Sequence, residues 1–312
     1  MRILVIVNPV AGRTQVESVK RALHRYFNQH QTIQLELYET TGNEVVADIV
    51  SEAIAGGIEG VFAAGGDGTV SAVADALAET GIPLGIIPTG TTNVLAQELG
   101  IPLNIDRACR LLAGPTATRP IDTLQQDDRH YVLSVGIGLS ALAIEGTSRE
   151  GKRRYGPLAY IWSILKTVAG VQPHLFTIIS DGHKRKIRAA DVLLANVSTI
   201  TGPLRWGPHI KPDDGRIDIC VMRAKNIWDI VGVGLDIVIP GRPRKNRYLV
   251  YWQAYHSVLV FGEELLSVQG DGEALGQMPL EVVLAPGSVQ VLVATPEENG
   301  RKLRIPLFSN RL

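Results

Sequence analysis

Gly65-Gly66-Asp67-Gly68-Thr69 carries the strongest chemical signal in the chain. Glycines let a backbone take positive φ and approach a phosphate with no Cβ in the way. The string follows the apolar run Gly60–Ala64 and opens a helical pattern from Val70. A helix start there presents unpaired N–H groups and a positive dipole end to an anion. A carboxylate repels phosphate, so Asp67 makes chemical sense if it meets the phosphates through Mg²⁺. Without that chemistry the string is a tight strand–helix turn with Asp and Thr as caps.

Three other loops repeat the arrangement. Pro88-Thr89-Gly90-Thr91-Thr92-Asn93 lies between the run Leu84–Ile87 and the helical stretch Val94–Leu99. Asn8-Pro9-Val10-Ala11-Gly12 ends the first apolar run, and Thr40-Thr41 ends the second. Each alone is a turn or a cap. Together they line one edge of a sheet, where open α/β sheets bind ligands. In the second half, Asp271-Gly272-Glu273 reads either as a hairpin turn or as two carboxylates suited to proton abstraction. Asp213-Asp214-Gly215 reads as a turn, since Asp-Gly is a turn dipeptide. The seven histidines are scattered and suggest neither a triad nor a metal site.

These loops need elements to hold them. Ile3–Val7, Ile33–Tyr38, Gly60–Ala64 and Leu84–Ile87 are short apolar runs, as buried parallel strands are. Helical spacing separates them over Gln15–Phe27, Glu44–Ala55 and Val70–Glu79. The alternation predicts a layered α/β nucleotide-binding domain over 1–122. Beyond it, short runs such as Phe176–Ser180, Asp191–Val197, Ile217–Met222, Val258–Phe261, Leu280–Leu284 and Val289–Val293 follow one another across turn residues. They predict a mostly antiparallel β-sandwich over 123–312, interrupted by helices near Pro157–Ala169 and Ile227–Val238. The tail from Pro296 is free to pack back on the first domain.

Composition narrows the partners. The 312 residues are 45% hydrophobic and 20% charged, with formal net charge zero, which gives no reason to expect nucleic acid. Two cysteines, Cys109 and Cys220, make no disulfide framework or zinc spacing, and a reducing cytoplasm fits. No run of about 18 apolar residues is present, so a peripheral membrane contact is the most that is expected. A basic cluster, Arg149, Lys152, Arg153 and Arg154, precedes Tyr160 and Trp162. It reads as a solvated loop or as an interfacial element.

Asn8-Pro-x-x-Gly12, the glycine string and the Pro88–Asn93 run together resemble the diacylglycerol kinase catalytic domain. Within it they are similar to the bacterial branch of soluble lipid kinases, related to sphingosine and ceramide kinases. Asp213-Asp214-Gly215-Arg216-Ile217-Asp218 and Gly270-Asp271-Gly272-Glu273 extend the resemblance over nearly the whole chain. It implies ATP as co-substrate, Mg²⁺ as cofactor, a lipid hydroxyl as acceptor and an active site in the interdomain cleft. The nucleotide would lie against Asn8, Pro9, Gly12, Thr41, Gly65, Gly66, Asp67, Gly68, Thr69, Val70, Ser71, Thr91 and Asn93. Asp271 or Glu273 would be the base, with Asp67 as a further catalytic carboxylate. A structural Mg²⁺ would be held by Asp214 and the carbonyls of Lys211 and Arg216, and Asp67 and Asp122 would support the catalytic ion through water. A homodimer is compatible with the resemblance. One departure stands out: several bacterial diacylglycerol kinases carry Asp after the Asn of the third motif, where this chain has Val94. That removes a carboxylate and puts diacylglycerol as the acceptor in question.

The lipid would need an apolar pocket, for which Gly136–Ile144 and Pro157–Leu165 are the candidates. NAD kinase shares the glycine string and a β-rich second domain, but the Pro88–Asn93 loop and the Gly270–Glu273 segment favour the lipid branch. A non-catalytic nucleotide-binding module is the third reading.

Overall fold

The apolar runs Ile3–Val7, Gly60–Ala64 and Leu84–Ile87 become strands buried on both faces. Ile33–Tyr38 instead becomes an edge strand whose residues are exposed or half-buried, not the buried strand expected of it. A computed structural model describes residues 1–9, 13–28, 32–42, 44–138, 140–141, 172–201, 204–206, 209–226, 228–229, 232, 248–295, 297–298 and 301–302. Gly12, the basic cluster at 149–154, Tyr160, Trp162, the stretch 157–169 and most of 227–238 lie outside them.

The chain divides into two compact units. One comprises Met1–Thr123, Thr201–Pro203 and Pro286–Leu312; the other comprises Leu124–Ile200 and Leu204–Ala285. In the first, β1 (Arg2–Val7), β2 (Gln34–Glu39), β3 (Gly60–Gly65) and β4 (Leu84–Pro88) form a parallel sheet in the order β2-β1-β3-β4. The helices are α1 (Arg13–Phe27), α2 (Val46–Ala55), α3 (Asp67–Leu77), α4 (Val94–Glu98) and α5 (Ile105–Ala113). Side chains alternate across a strand. Ile3, Val5 and Val7 therefore share one face, packed with Val16, Val19 and Leu23 of α1 and Cys109 and Leu112 of α5. α2 and α3 pack against each other. α5 goes beyond the sequence expectations, although Ile105, Ala108, Cys109 and Leu112 carry the helical period. Its cap is Asn104, whose side chain accepts the Arg107 N–H.

The strand order reverses between β1 and β3, since β2 lies on one side of β1 and β3 on the other. That is the switch point at which open α/β sheets bind ligands, just beyond the carboxyl ends of the strands.

Two strands, β5 (Thr116–Gln126) and β18 (Leu280–Ala294), pass from one unit into the other. The runs Leu280–Leu284 and Val289–Val293 are thus one strand that continues through Pro286-Gly287. Its later part lies parallel to β4, with Val291 beside Leu84.

The second unit is the antiparallel sandwich. Its strands are β6 (Arg129–Tyr131), β7 (Ser134–Gly138), β8 (His174–Ser180), β9 (His183–Ala189), β10 (Asp191–Ala195), the short β11 (Thr199–Thr201) and β12 (Leu204–Arg205), β13 (Ile217–Met222), β14 (Leu249–Ala254), β15 (Ser257–Gly262), β16 (Ser267–Gly270) and β17 (Glu273–Gln277). One sheet runs β14-β13-β10-β7-β16-β17; the other carries the first part of β18, then β15, β8 and β9. Their inner faces share a core that includes Val135, Phe176, Ile178, Val192, Ile219, Val258, Val260 and Val282.

Candidate active site

Because β1, β3 and β4 run parallel, their carboxyl ends deliver three loops to one edge. The loops are bonded to one another. The Asn8 N–H donates to the Ala64 carbonyl (2.9 Å), and Asn8 Nδ2 donates to Thr69 Oγ1 (2.9 Å). The Thr89 N–H donates to the Gly65 carbonyl (3.0 Å). Asp67, the first residue of α3, accepts from Thr92 Oγ1 (2.6 Å) and from the Val94 N–H. Asn93 closes its own loop: the Gly90 N–H donates to Asn93 Oδ1 (3.1 Å), and Asn93 Nδ2 donates to the Gly90 carbonyl (2.8 Å).

Of the two reasons expected for the glycines, positive φ does not apply. None of Gly65, Gly66, Gly68 or Gly90 has a positive φ; that strain falls on Asn93, at φ 49°. What matters is size. A Cβ on Gly65 would come within 2.3 Å of the Thr69 side chain, and one on Gly90 within 2.6 Å of Gly66 Cα. At Gly66 the nearest atom would be Gly90 Cα at 3.4 Å, ordinary contact, and at Gly68 nothing lies within 4 Å. Gly65 and Gly90 therefore let the loops pack together, while Gly68 leaves open space above the start of α3.

Two hydroxyls at this edge are buried without a hydrogen-bond partner, Ser71 Oγ in α3 and Thr89 Oγ1 after β4. Buried polar atoms are nearly always satisfied, by protein, water or ligand. Thr91 is exposed; Val70 is buried in α3. At the end of β2, the Thr41 N–H donates to the Glu44 carboxylate (2.9 Å to each oxygen) and the Gly42 N–H donates at 3.0 Å. These bonds, the Thr41 amide first, hold the Glu44 carboxyl down at about 2. The helix predicted from Glu44 accordingly begins at Val46, because Glu44 turns its side chain back to the loop.

Asp122 is not brought to this cluster. It accepts from the Gly287 N–H (2.8 Å), and the neighbouring Ser288 carbonyl accepts from Glu79, beyond the carboxyl end of α3. With Val291 beside Leu84 in a parallel pair, Gly287 falls before the amino end of β4, at the edge opposite Asp67. One hydrated ion does not bridge positions so separated along a strand at about 3.3 Å per residue.

In the second unit, Asp271-Gly272 is the two-residue turn joining β16 to β17, with φ of 48° and 90°. Positive φ at both positions is the hairpin turn that matches strand twist. The Asp271 carboxylate points back into the unit and accepts three backbone N–H groups, from Val132 to Oδ2 and from Leu133 and Ser134 to Oδ1, each at 2.9 Å. Those residues lie at the turn between β6 and β7. Glu273, at the start of β17, is exposed, with Arg129 Nη2 3.8 Å away. The two carboxylates diverge.

Asp214 is half-buried in the turn between Lys211 and Arg216, where Gly215 takes φ 70°. Arg216 donates to Gln253 Oε1 (3.0 Å), and Gln253 Nε2 donates to Asp218 Oδ1 (3.0 Å). Burial pushes the Asp218 carboxyl up. Among the described residues no group of three or more His, Cys, Asp or Glu is arranged to hold a metal. Mg²⁺ suits the donors present, because it commonly takes one or two carboxylates, with waters and phosphates completing its shell. Sequence reasoning named Thr92 only as part of its loop and missed Glu44 and the Val132–Ser134 amides. The polarity of these residues is visible in the chain, but their partners lie too far along it to be read.

The diacylglycerol kinase catalytic domain model matches residues 2–125, and the model of the YegS C-terminal NAD kinase beta sandwich-like domain matches 133–293. An uncharacterized Synechocystis protein is 30% identical, over 94% of this chain and 70% of its own length. The diacylglycerol kinase of Bacillus subtilis is 27% identical over 97% of this chain and 99% of its own. The crystal structure of a candidate diacylglycerol kinase from Bacillus anthracis is 27% identical with a TM-score of 0.74, covering 93% of this chain and 94% of that one. The loops bonded edge to edge lie inside the first match and the Asp271–Glu273 hairpin inside the second; the chain belongs to the diacylglycerol kinase catalytic-domain family.

Proposed function

We propose that this chain transfers the γ-phosphoryl group of ATP to the hydroxyl of a lipid, a diacylglycerol or a relative of it. The observation that carries the reading is the loop cluster at the β1–β3 switch point. It offers open space over Gly68 and two buried hydroxyls, Ser71 and Thr89, with no partner. The α3 N–H groups, the dipole of that helix and these hydroxyls together suit the phosphates of a nucleotide.

Asp67, its carboxylate oriented by Thr92 and Val94, would meet Mg²⁺ through water. When bound, the ion supplies charge neutralisation to the transferring phosphoryl group. Asp214, with the Lys211 and Arg216 carbonyls, is the proposed holder of a structural ion. Of the two hairpin carboxylates, Glu273 is the better base. Asp271 is occupied by three amides and would lose them on protonation. The acceptor oxygen attacks the γ-phosphorus, its proton passes to Glu273, and the bond to the bridging oxygen breaks to leave ADP. Val94 is buried and gives its N–H to Asp67, so the contact between these loops closes without a carboxylate at position 94.

Labelled ATP offered with diacylglycerol, sphingosine, phosphatidylglycerol or NAD tests the reading. Label on a lipid is the expected result. Label on NAD alone, or on no acceptor with ATP bound, overturns it.

A further inference from the structure

Among the described residues no helix is long and apolar enough to cross a membrane, so a kinase acting on a lipid needs a surface that meets one. Strand β9 reads His183-Lys184-Arg185-Lys186-Ile187-Arg188-Ala189 and forms the edge of its sheet. Its register with β8 sets Lys184 beside Ile179, Lys186 beside Thr177 and Arg188 beside Leu175. β8 in turn sets Ile179 beside Leu259 and Thr177 beside Phe261. β15 sets Leu259 beside Glu281 and Ser257 beside Val283.

The alternate residues of these strands, Phe176, Ile178, Val258, Val260 and Val282, fill the sandwich core. By the two-residue period Leu175, Ile179, Leu259, Phe261 and Val283 therefore lie on the outer face of this sheet. Leu175 is 37% exposed and Val283 43% exposed. Lys184, Lys186 and Arg188 are exposed and stand along one side of this face. Glu281 is the acidic residue in these registers; Glu263 and Glu264 line the same pocket as Arg188, and Glu264 lies 2.9 Å from His174 Nδ1. Arg185 faces the other way and stacks on Trp252.

Lysines on an edge strand also discourage stray pairing between sheets. That role needs no apolar row beside them. An apolar face bordered by cations matches a bilayer surface, with acyl chains for the one and anionic headgroups for the other.

We propose that this outer sheet face, bordered by Lys184, Lys186 and Arg188, docks on an anionic phospholipid surface. The proposal rests on the lipid-acceptor reading for its purpose but is tested apart from it. Vesicles of phosphatidylcholine alone are compared in a flotation assay with vesicles containing about one-third phosphatidylglycerol. The chain should float with the mixed vesicles, less so as salt rises, and stay behind with phosphatidylcholine. The combined variant Lys184→Glu, Lys186→Glu, Arg188→Glu should lose at least on the order of 10²-fold in partitioning, the loss expected from removing three basic residues alone. Because reversal of three charges can disturb folding, the glutamine triple is run beside it; it should keep the wild-type melting temperature and still lose most of the binding. Equal binding by wild type and the glutamine triple overturns the proposal. So does equal binding to both vesicle types, or no binding of wild type to the mixed ones.

Phosphorylation of a detergent-dispersed lipid separates the two ideas. The glutamine triple should keep that activity and lose activity on vesicles. Wild-type flotation with no phosphorylation in detergent would uphold the docking face while removing the lipid-kinase reading.

Discussion

Asp67 and Thr92 stand 25 positions apart in the chain and share a hydrogen bond of 2.6 Å. The bond joins the first residue of α3 to the loop after β4, across the floor of the proposed phosphate site. It orients one carboxylate oxygen, and the Val94 N–H holds the other. Asp67→Asn should lower kcat on the order of 10²-fold or more, the usual loss for a charge-stabilising group, with a smaller change in ATP affinity. Thr92→Ala removes only the orientation, worth about 1.4 kcal/mol or roughly tenfold in kcat. A steady-state comparison at saturating Mg²⁺ decides it; a normal kcat in Asp67→Asn returns the residue to a helix-start role.

The glycines should separate by what a Cβ would meet. Gly68→Ala adds its methyl into open space and should keep the melting temperature while weakening ATP binding. Gly90→Ala drives a Cβ to 2.6 Å from Gly66 Cα and should destabilise the fold by about 1–3 kcal/mol. Calorimetric titration with ATP beside thermal melts distinguishes them. Equal melting temperatures for the two variants would mean the loops do not pack as described.

For the hairpin, amide substitutions keep shape and remove basicity. Glu273→Gln should abolish most of kcat and leave stability unchanged, since its side chain is exposed. Asp271→Asn weakens a charged acceptor of three N–H groups and should cost about 2 kcal/mol of stability. If Glu273→Gln turns lipid over at the wild-type rate, the base lies elsewhere.

The Lys211–Arg216 turn is tested by heat. Mg²⁺ that binds the folded chain raises its melting temperature, by about 2.7 kcal/mol of stability at a hundredfold excess over Kd. Asp214→Ala should lose the part of that gain owed to this turn. An identical Mg²⁺ response in both proteins would count against the ion.

Asp191, fully buried in β10, gives a pH signature. Burial pushes its carboxyl from 3.8 up to about 6, against the opposing hydrogen bonds from the Ser140 N–H and hydroxyl. With the folded pKa above the unfolded one, the folded chain holds a proton that the unfolded chain releases. Stability from this group is complete below pH 3.8 and is lost as pH rises toward and through 6, by on the order of 2–3 kcal/mol. Asp191→Asn keeps an acceptor for Ser140 and cannot ionise. Denaturant melts from pH 4 to 7 should show wild type losing stability relative to the variant, and parallel curves would refute the shift.

The sequence alone determined the alternation of strand and helix up to α4, because buried parallel strands must be apolar on both faces and so read as unbroken runs such as Ile3–Val7. It marked the loops after β1, β3 and β4 as the chemical edge, since Gly65–Thr69 and Pro88–Asn93 are polar and glycine-rich where strands end. It left β9 unread: an edge strand with one solvated face carries lysines where the pattern asks for apolar residues. It also left Asp271 and Glu273 as equals. Only pairing across the fold separated them, by bringing the Val132–Ser134 amides to one carboxylate and leaving the other in solvent. The same holds for Gly65 and Gly90, whose need for a missing Cβ comes from Thr69 and Gly66 pressed against them, and for Asp122, which strand register sets at the far edge from Asp67. Local propensity is written in neighbouring residues, whereas which polar groups meet depends on register and loop closure over tens of residues, and those are decided by the packing of the whole sheet.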